Sequence, residues 1–236
     1  MTGAGRTRGV VFGSVVAMAC AAAAPPGMPA LPMGAGPPRV ALADVVEPRF
    51  RDAVLAVVRK PTISTRATAD DLICPPALYD WLLAHPDRVA LAWRRLKVPC
   101  VEIADAGNGT FTWADGDGSE LVWQAVGRFP DGLVWYATGK VKPSPVTPTV
   151  PIKAVVVMSH PNRPTADGKA AITPSVQVFL QTDSRAATLV LRLIGPTAPK
   201  LAQEGAEQLL MFFGGVAQAA TARPEKAEEL LAPARK

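Results

Sequence analysis

Histidine, cysteine and tyrosine are scarce in this chain of 236 residues, and their scarcity excludes several classes of site. The chain has two histidines, three cysteines and two tyrosines. No histidines and cysteines are spaced as metal ligands, and neither a phosphate-binding loop nor a Gly-x-Ser-x-Gly turn occurs. A histidine-based catalytic triad would have to use one of only two side chains. The sequence therefore predicts no metal, no cofactor and no marked catalytic centre.

Acidic residues are absent before Asp44, and this absence defines a leader. Arg6 and Arg8 precede an uncharged apolar run from Gly9 to Ala24. The run is shorter than the roughly 20 residues that a membrane-spanning helix needs. A basic start followed by a short apolar run is typical of a secretory signal. We predict that residues 1–24 are a signal peptide and that the protein is exported, either to the periplasm or out of the cell.

Residues 25–43 are rich in proline and glycine and predict an extended or flexible spacer. There are three alternatives for where the leader ends. Cleavage after Ala43 would follow a small-x-small pattern and remove the spacer, whereas cleavage near Ala24 would retain it. The third alternative is lipidation at Cys20, because Ala17-Met18-Ala19-Cys20 resembles a bacterial lipobox without its usual leucine. That alternative would make the protein a membrane-anchored lipoprotein.

The charge of the mature chain gives no reason to expect a nucleic-acid partner. Removing Arg6, Arg8 and Arg39 with the first 43 positions leaves 22 basic residues against 20 acidic residues. No stripe of lysine and arginine stands out in the remaining 193 residues. No second segment is long and apolar enough to span a membrane. The sequence predicts one domain with a sizeable core, no nucleic-acid binding and no membrane span in the mature chain.

Hydrophobic periodicity predicts a single α+β domain over residues 44–220 and a frayed tail over residues 221–236. A helix ending before Pro61, a strand from Thr62 to Arg66 and two short helices meeting at His85-Pro86-Asp87 come first. A period of two then predicts an antiparallel sheet of about six or seven strands. The pattern ends with a helix running to Ile194, for which a strand over Leu189 to Ile194 is the alternative, and a longer helix from Ala198 to Ala220. The two short helices and the long C-terminal helix are expected to pack on one face of the sheet.

The same spacing predicts which side chains face the core. The first helix of the short pair is expected to bury Leu78, Trp81 and Leu82. In the sheet, four apolar residues at odd positions are expected to share one face: Leu121, Trp123, Ala125 and Phe129.

This order of elements, from Thr62 to about Ala220, resembles the helix-grip fold of START and Bet v 1-like lipid-carrier proteins. The chain also resembles an uncharacterised family of exported bacterial proteins, which implies no activity. The helix-grip resemblance implies that a curved sheet and a long helix enclose an apolar cavity. Such a cavity accepts apolar small molecules and carries a few polar groups that orient them.

Six residues are candidates for lining that cavity. The tryptophans occupy positions on successive strands that point to the same face of the sheet, and the histidine lies in step with the apolar residues of a central strand that face the same side. The six candidates are Trp113, Trp123, Trp135, His160, Phe212 and Phe213. The competing interpretation is that the rings only pack the core and that His160 is structural.

Three functional hypotheses follow. The first is an exported, non-catalytic domain that binds an apolar small molecule or lipid, or a partner, at the cell envelope. The second is an enzyme of unmarked type that uses His160 as its acid or base. The third is a structural envelope protein without a cavity.

The cysteines outside the leader are Cys74 and Cys100, which flank the predicted helical pair. Export to an oxidising compartment predicts that they form a disulfide. The alternative is that both are buried free thiols.

Overall fold

The computed structural model of the protein describes residues 41–142, 149–182 and 198–233. The predicted signal peptide, Cys20 and the predicted helix ending at Ile194 lie outside these residues. The described helices are α1 (Leu42–Val45), α2 (Pro48–Arg59), α3 (Pro76–Ala84), α4 (Pro86–Arg95), the long helix (Ala198–Ala222) and the terminal helix (Pro224–Leu231). The strands are β1 (Ile63–Thr68), β2 (Leu72–Ile73), β3 (Ala104–Gly107), β4 (Thr110–Ala114), β5 (Glu120–Phe129), β6 (Gly132–Val141), β7 (Val150–Ser159), β8 (Asn162–Pro164), β9 (Ala170–Ile172) and β10 (Ser175–Thr182).

Seven strands form one antiparallel sheet in the order β1-β10-β7-β6-β5-β4-β3. Neighbours in sequence pair as hairpins from β3 to β7, and β10 lies between β7 and the edge strand β1. The helices α3 and α4 come between the first and second strands of the main sheet, and the long helix follows its last strand. The predicted α+β class, the antiparallel sheet and the long C-terminal helix are confirmed, and the strand order is that of a helix-grip fold.

The inner face of the sheet is the face covered by the long helix. Along β6, Leu133 and Trp135 point to this face, as their partners Met158 and Val156 on β7 do. On the edge strand, the Thr65 hydroxyl donates a 2.8 Å hydrogen bond to the side-chain oxygen of Gln203, which lies on the long helix. The sequence predicted this helix within two residues of its observed end, because its apolar spacing is regular.

The outer face of the sheet carries α2. Pro48 occupies the first turn of this helix, where its missing N–H costs nothing. Val54 and Val57 of α2 pack against Val134 and Val155 of the sheet. Gly127 has no side chain at the point where the segment before α2 crosses β5, and an added Cβ there would lie 2.6 Å from the Val45 carbonyl oxygen. The glycine therefore lets the N-terminal segment lie directly on the sheet.

A second, three-stranded sheet in the order β2-β9-β8 lies apart from the main one. The hydrophobic pattern predicted one sheet and not this second one. Each strand has only two or three residues, so no periodicity develops. An exposed ion pair between Asp71 and Arg163 and a hydrogen bond from the Thr173 hydroxyl to Asp71 connect this small sheet. The Thr173 hydrogen bond and then Arg163 hold the pKa of Asp71 below its ordinary value.

Two predicted face assignments are wrong. In α3 the buried side chains are Tyr79, Leu82 and Leu83, while Trp81 is exposed and stacks on His85 at 4.2 Å between ring centroids. In β5 the register shifts between Ala125 and Gly127, where a bulge inserts one residue. A bulge reverses the alternation beyond it, so Phe129 packs with the outer-face cluster instead of joining Trp123 on the inner face.

The described part of the predicted frayed tail is ordered as the terminal helix. The Arg95 guanidinium donates hydrogen bonds of 2.8 Å to the carbonyl oxygens of Leu230 and Ala232. Cationic donors at a helix C-terminus satisfy carbonyl groups that have no partner within the helix. Leu231 packs against the hydrophobic residues between the inner face of the sheet and the long helix. Within the described residues, no helix combines the length and the apolar character that crossing a membrane requires.

Candidate functional site

The candidate site is the inner-face cluster, the apolar interior between the main sheet and the long helix. Five of the six predicted site residues are buried members of this cluster: Trp113, Trp123, Trp135, Phe212 and Phe213. Phe111, which the sequence analysis did not select, joins them with its ring 5.8 Å from that of Trp123. The predicted convergence of these rings on one face is therefore observed. Whether they bind a ligand stays a prediction.

The antiparallel register explains how the rings meet. Trp123 lies opposite Phe111 on β4 and Ala137 on β6, and Trp135 lies opposite Ala125 on β5. Each large ring thus has a small residue opposite it on one neighbouring strand, an alternation that lets side chains of facing positions interdigitate. The Phe213 ring of the long helix lies 5.6 Å from the Trp135 ring, in the tilted arrangement that aromatic pairs favour.

Helix α4 closes the cluster beside the long helix. The Trp93 indole N–H donates a 2.9 Å hydrogen bond to the Phe212 carbonyl oxygen. This contact requires Gly215, because a Cβ at that position would lie 2.6 Å from two carbons of the Trp93 ring. Its neighbour Gly214 has open space around the same position. One of the two adjacent glycines therefore has a packing reason and the other has none that the structure shows.

At one end of the cluster lie two buried side chains with polar atoms, His160 and Tyr79. We call this pair the polar end. His160 follows β7, and its backbone N–H donates a 2.7 Å hydrogen bond to the Asp131 carbonyl oxygen. Its ring lies 5.2 Å from the Tyr79 ring, between centroids. Tyr79 is fully buried and His160 is 1% exposed. Burial, and then the nearby Cys74, raise the pKa of the Tyr79 hydroxyl well above its ordinary value, so the phenol is neutral.

Asp80 connects the polar end with solvent. Its Oδ1 atom lies 3.0 Å from His160 Nε2, while about half of its side chain is exposed. The two atoms are close but are not aligned for a hydrogen bond, since both ring nitrogens of His160 are among the buried atoms without such a partner. A carboxylate at this distance favours the neutral tautomer that carries its proton on Nε2.

Besides Thr221 Oγ1, which lies near Cys74, three buried side chains at or in the inner-face cluster carry polar atoms without a hydrogen-bond partner among the described residues. They are Trp123 Nε1, Tyr79 Oη and both ring nitrogens of His160. Buried polar groups in proteins are nearly always hydrogen-bonded, and each exception costs about 1–3 kcal/mol. Stability alone would favour phenylalanine in place of a buried tyrosine whose hydroxyl has no partner. The three side chains are therefore the strongest functional signal in the structure.

The predicted disulfide between Cys74 and Cys100 is wrong. Cys74 is a free, buried thiol whose Sγ lies 3.4 Å from the Pro75 carbonyl oxygen. The alternation along β2 explains its position, since Ile73 is exposed and the next side chain turns into the inner-face cluster. Burial raises the pKa of the Cys74 thiol, with partial opposition from the Thr221 side chain and the Tyr79 backbone. A protonated, enclosed thiol is a poor nucleophile.

The hydrogen bonds of the described residues give His160 no nucleophile. The two nearest hydroxyls in sequence on the paired strands, Ser159 and Ser175, lie 2.8 Å apart and bond to each other. General-base activation needs a hydroxyl or thiol within about 3 Å of the base. The arrangement can orient a ligand through hydrogen bonds, but the described residues do not assemble a nucleophile and its base.

Comparisons with known proteins find similar solved structures at low sequence identity. No family model and no curated protein matches this chain. A conserved protein from Geobacillus kaustophilus is 10% identical, with a TM-score of 0.43 over 67% of this chain and 97% of that chain. A Thermus thermophilus protein, TTHA0849, is 14% identical, with a TM-score of 0.42 over 67% and 99% of the two chains. Ara h 8.0201 is 15% identical, with a TM-score of 0.31 over 62% and 97%.

Sequence reasoning missed Tyr79 and Asp80 as partners of His160. A helix that begins at Pro76 permits a buried stripe through Tyr79, Leu82 and Leu83 as readily as the stripe that was predicted. The tyrosine could have been found on that alternative stripe. Nothing in the local pattern distinguishes Asp80 from any other polar helix residue, because its role depends on where β7 ends.

Proposed function

We propose that this protein is an exported, non-catalytic domain that binds an apolar small molecule or lipid between its sheet and its long helix. The observation that carries the proposal is the set of unpartnered polar atoms on Trp123, Tyr79 and His160, buried in or against an aromatic cluster. Ligand sites in proteins combine a mostly apolar lining with a few polar groups that fix the orientation of the ligand. A ligand that satisfies these atoms would remove the cost of their burial.

A neutral, apolar fluorescent dye tests this proposal directly. Titration of the protein with N-phenyl-1-naphthylamine should raise the dye fluorescence and quench that of the tryptophans near it. Replacing the buried Trp135 with phenylalanine should reduce the quenching. Replacing the exposed Trp81 with phenylalanine is the matched control and should leave it unchanged. A wild-type protein that never saturates with the dye would contradict the proposal and favour a structural envelope protein with a filled core.

The exported location is a separate part of the proposal, supported by the basic start and the apolar run of residues 1–24. The N-terminal sequence of protein recovered from the cell envelope should begin near Asp44 or near Pro25, or be blocked by a lipid at Cys20. Recovery of intact Met1 on a cytoplasmic protein would contradict export. That result would leave the binding proposal standing, because it depends on no leader residue.

A second candidate function is general acid or base chemistry at His160, and the 3.0 Å approach of Asp80 to Nε2 favours it. A carboxylate orients and stabilises the imidazolium in many acid–base pairs. We rank it second because the described residues place no nucleophile in hydrogen-bond contact with the ring. Turnover of an ester or amide analogue that is lost in His160→Gln, while dye binding persists, would reverse this ranking.

A further inference from the structure

We propose that the polar end recognises the hydroxyl of an otherwise apolar alcohol. The inference rests on the proposed function and names the chemical class of its ligand. It uses two side chains from separate elements, Tyr79 on α3 and His160 after β7, whose ring centroids lie 5.2 Å apart. Both side chains are buried, and their polar atoms have no hydrogen-bond partner among the described residues.

The donors and acceptors at the polar end define what a ligand must offer. The neutral phenol of Tyr79 donates one hydrogen bond. Asp80 lies beside His160 Nε2 and favours the proton on that nitrogen, which leaves Nδ1 as an acceptor in the neutral ring. A hydroxyl accepts from a phenol and donates to an imidazole nitrogen with the same oxygen. An ether or a ketone could accept from the phenol but would leave Nδ1 without a donor.

Charge disfavours the other common head groups of lipids. The Asp80 carboxylate lies at the polar end, so a ligand carboxylate or phosphate would be brought close to a like charge. The Asp131 carbonyl oxygen accepts a hydrogen bond from the His160 backbone N–H, and the buried Cys74 thiol lies near Tyr79. Neither group supplies a positive charge. A neutral head group is the one that the polar end accepts without an unpaired charge.

The apolar body of the alcohol would lie among the rings of the inner-face cluster. The polar end is continuous with that cluster, because Tyr79 belongs to it together with Trp123 and Phe213. Trp123 Nε1, which belongs to the same cluster, is a donor only. A single hydroxyl at the polar end therefore accounts for two of the three unpartnered side chains.

The test compares three ligands of one chain length, namely 1-decanol, decanoate and decane, as competitors of bound N-phenyl-1-naphthylamine. Wild-type protein should bind 1-decanol at least 10-fold more tightly than decanoate or decane. Tyr79→Phe retains the ring and removes only the hydroxyl, so it should abolish the preference for the alcohol over decane while still binding the dye. Tyr136→Phe is the matched control, because this other tyrosine lies on the outer face, and it should behave as wild type.

The outcomes separate this inference from the function on which it rests. Equal displacement by the three ligands, or tighter binding of decanoate, would overturn the alcohol assignment while the binding function stands. A preference for 1-decanol that survives in Tyr79→Phe would also overturn it. Failure of the wild type to bind the dye and all three ligands would contradict the binding function itself. Thermal unfolding of each variant confirms that a lost preference does not come from a lost fold.

Discussion

The two faces of the main sheet are built from the same strands but have different chemistry. The outer face packs valines of α2 against valines of the sheet, and none of the described aromatic rings is fully buried there. The inner face buries tryptophan, phenylalanine and tyrosine rings against the long helix. It also holds Tyr79 and Trp123, whose polar atoms lack partners among the described residues.

The difference indicates what each face is for. A small, wholly apolar cluster such as that of Val54 and Val134 lowers the free energy of folding and has no other visible task. An interior that combines large rings with unsatisfied polar atoms lowers stability relative to an apolar core of equal volume. We infer that the outer face stabilises the fold, whereas the inner face retains groups for a ligand.

The largest difference is expected between truncations on the two faces. Phe213→Ala on the inner face should lower the free energy of unfolding by roughly 3–5 kcal/mol, since the ring is fully buried. Val54→Ala, equally buried on the outer face, removes only two methyl groups and should cost about 2 kcal/mol. Urea denaturation of both variants measures this difference.

The size of the Phe213 effect also reports how tightly the inner face is filled. A loss for Phe213→Ala no larger than that for Val54→Ala would show that the long helix does not depend on the ring. An apolar ligand added to Phe213→Ala should restore part of the lost stability by mass action, as binding to the folded state alone does. Val54→Ala should gain no more from the ligand than wild type does.

A smaller and opposite pair of effects is expected at the two glycines of the long helix. Gly214→Ala should stabilise the protein by about 0.5–1 kcal/mol, because the space around it is open and alanine favours the helix. Gly215→Ala should destabilise it by about 1–3 kcal/mol, because the new methyl group meets the Trp93 ring. Thermal unfolding of the two variants checks the signs. Equal stabilisation by both would show that α4 is not held against the long helix at this point.

The smallest effect concerns the two tyrosines at high pH. Burial raises the pKa of the Tyr79 hydroxyl, and it also raises that of the partly buried Tyr136. Below the ordinary value of about 10, both the folded and the unfolded chain hold the phenol proton, so the raised pKa does not change stability. As the pH rises above that value, the unfolded chain ionises while the folded chain does not, and stability is lost. The folded state holds its phenol proton more tightly than the unfolded state does, so ionisation above about pH 10 favours the unfolded chain. Wild type should therefore lose more stability between pH 8 and pH 10.5 than Tyr79→Phe does.

Tyr136→Phe is the control for that experiment, and it should retain most of the alkaline loss. The raised pKa of the Cys74 thiol also lowers stability at high pH, and it does so in every variant. Only differences between variants are therefore informative. Urea denaturation at the two pH values measures them. An identical alkaline loss in wild type and Tyr79→Phe would mean that the phenol is not buried as described.

The sequence predicted the main sheet and the long helix because their patterns are long. The long helix and the alternation along β6 extend over several periods, so the helical and strand periods are distinct. The prediction of side-chain orientation was wrong where one inserted residue changes the register of a strand. The bulge between Ala125 and Gly127 moves Phe129 to the outer face. Gly127 is a sequence signal for such a bulge, but the alternation of apolar residues alone does not use it.

The candidate site was predictable in part for the same reason. The rings of Trp123, Trp135 and Phe213 share a face because strand parity and helix spacing are regular. The polar end was not predictable, because it needs the spatial meeting of α3 with the residue after β7. The prediction of a disulfide at Cys74 was wrong, because the spacing of cysteines in the sequence does not show in which direction each side chain points.

The indole N–H signals of the five tryptophans offer the most direct test of whether the inner face binds a ligand. Each can be assigned in a ¹H–¹⁵N NMR spectrum by single replacements with phenylalanine. The account predicts that 1-decanol shifts the signals of Trp123 and Trp135 in a saturable manner and leaves that of the exposed Trp81 in place. Unchanged signals for the two buried rings at saturating alcohol, or a shift confined to Trp81, would contradict it.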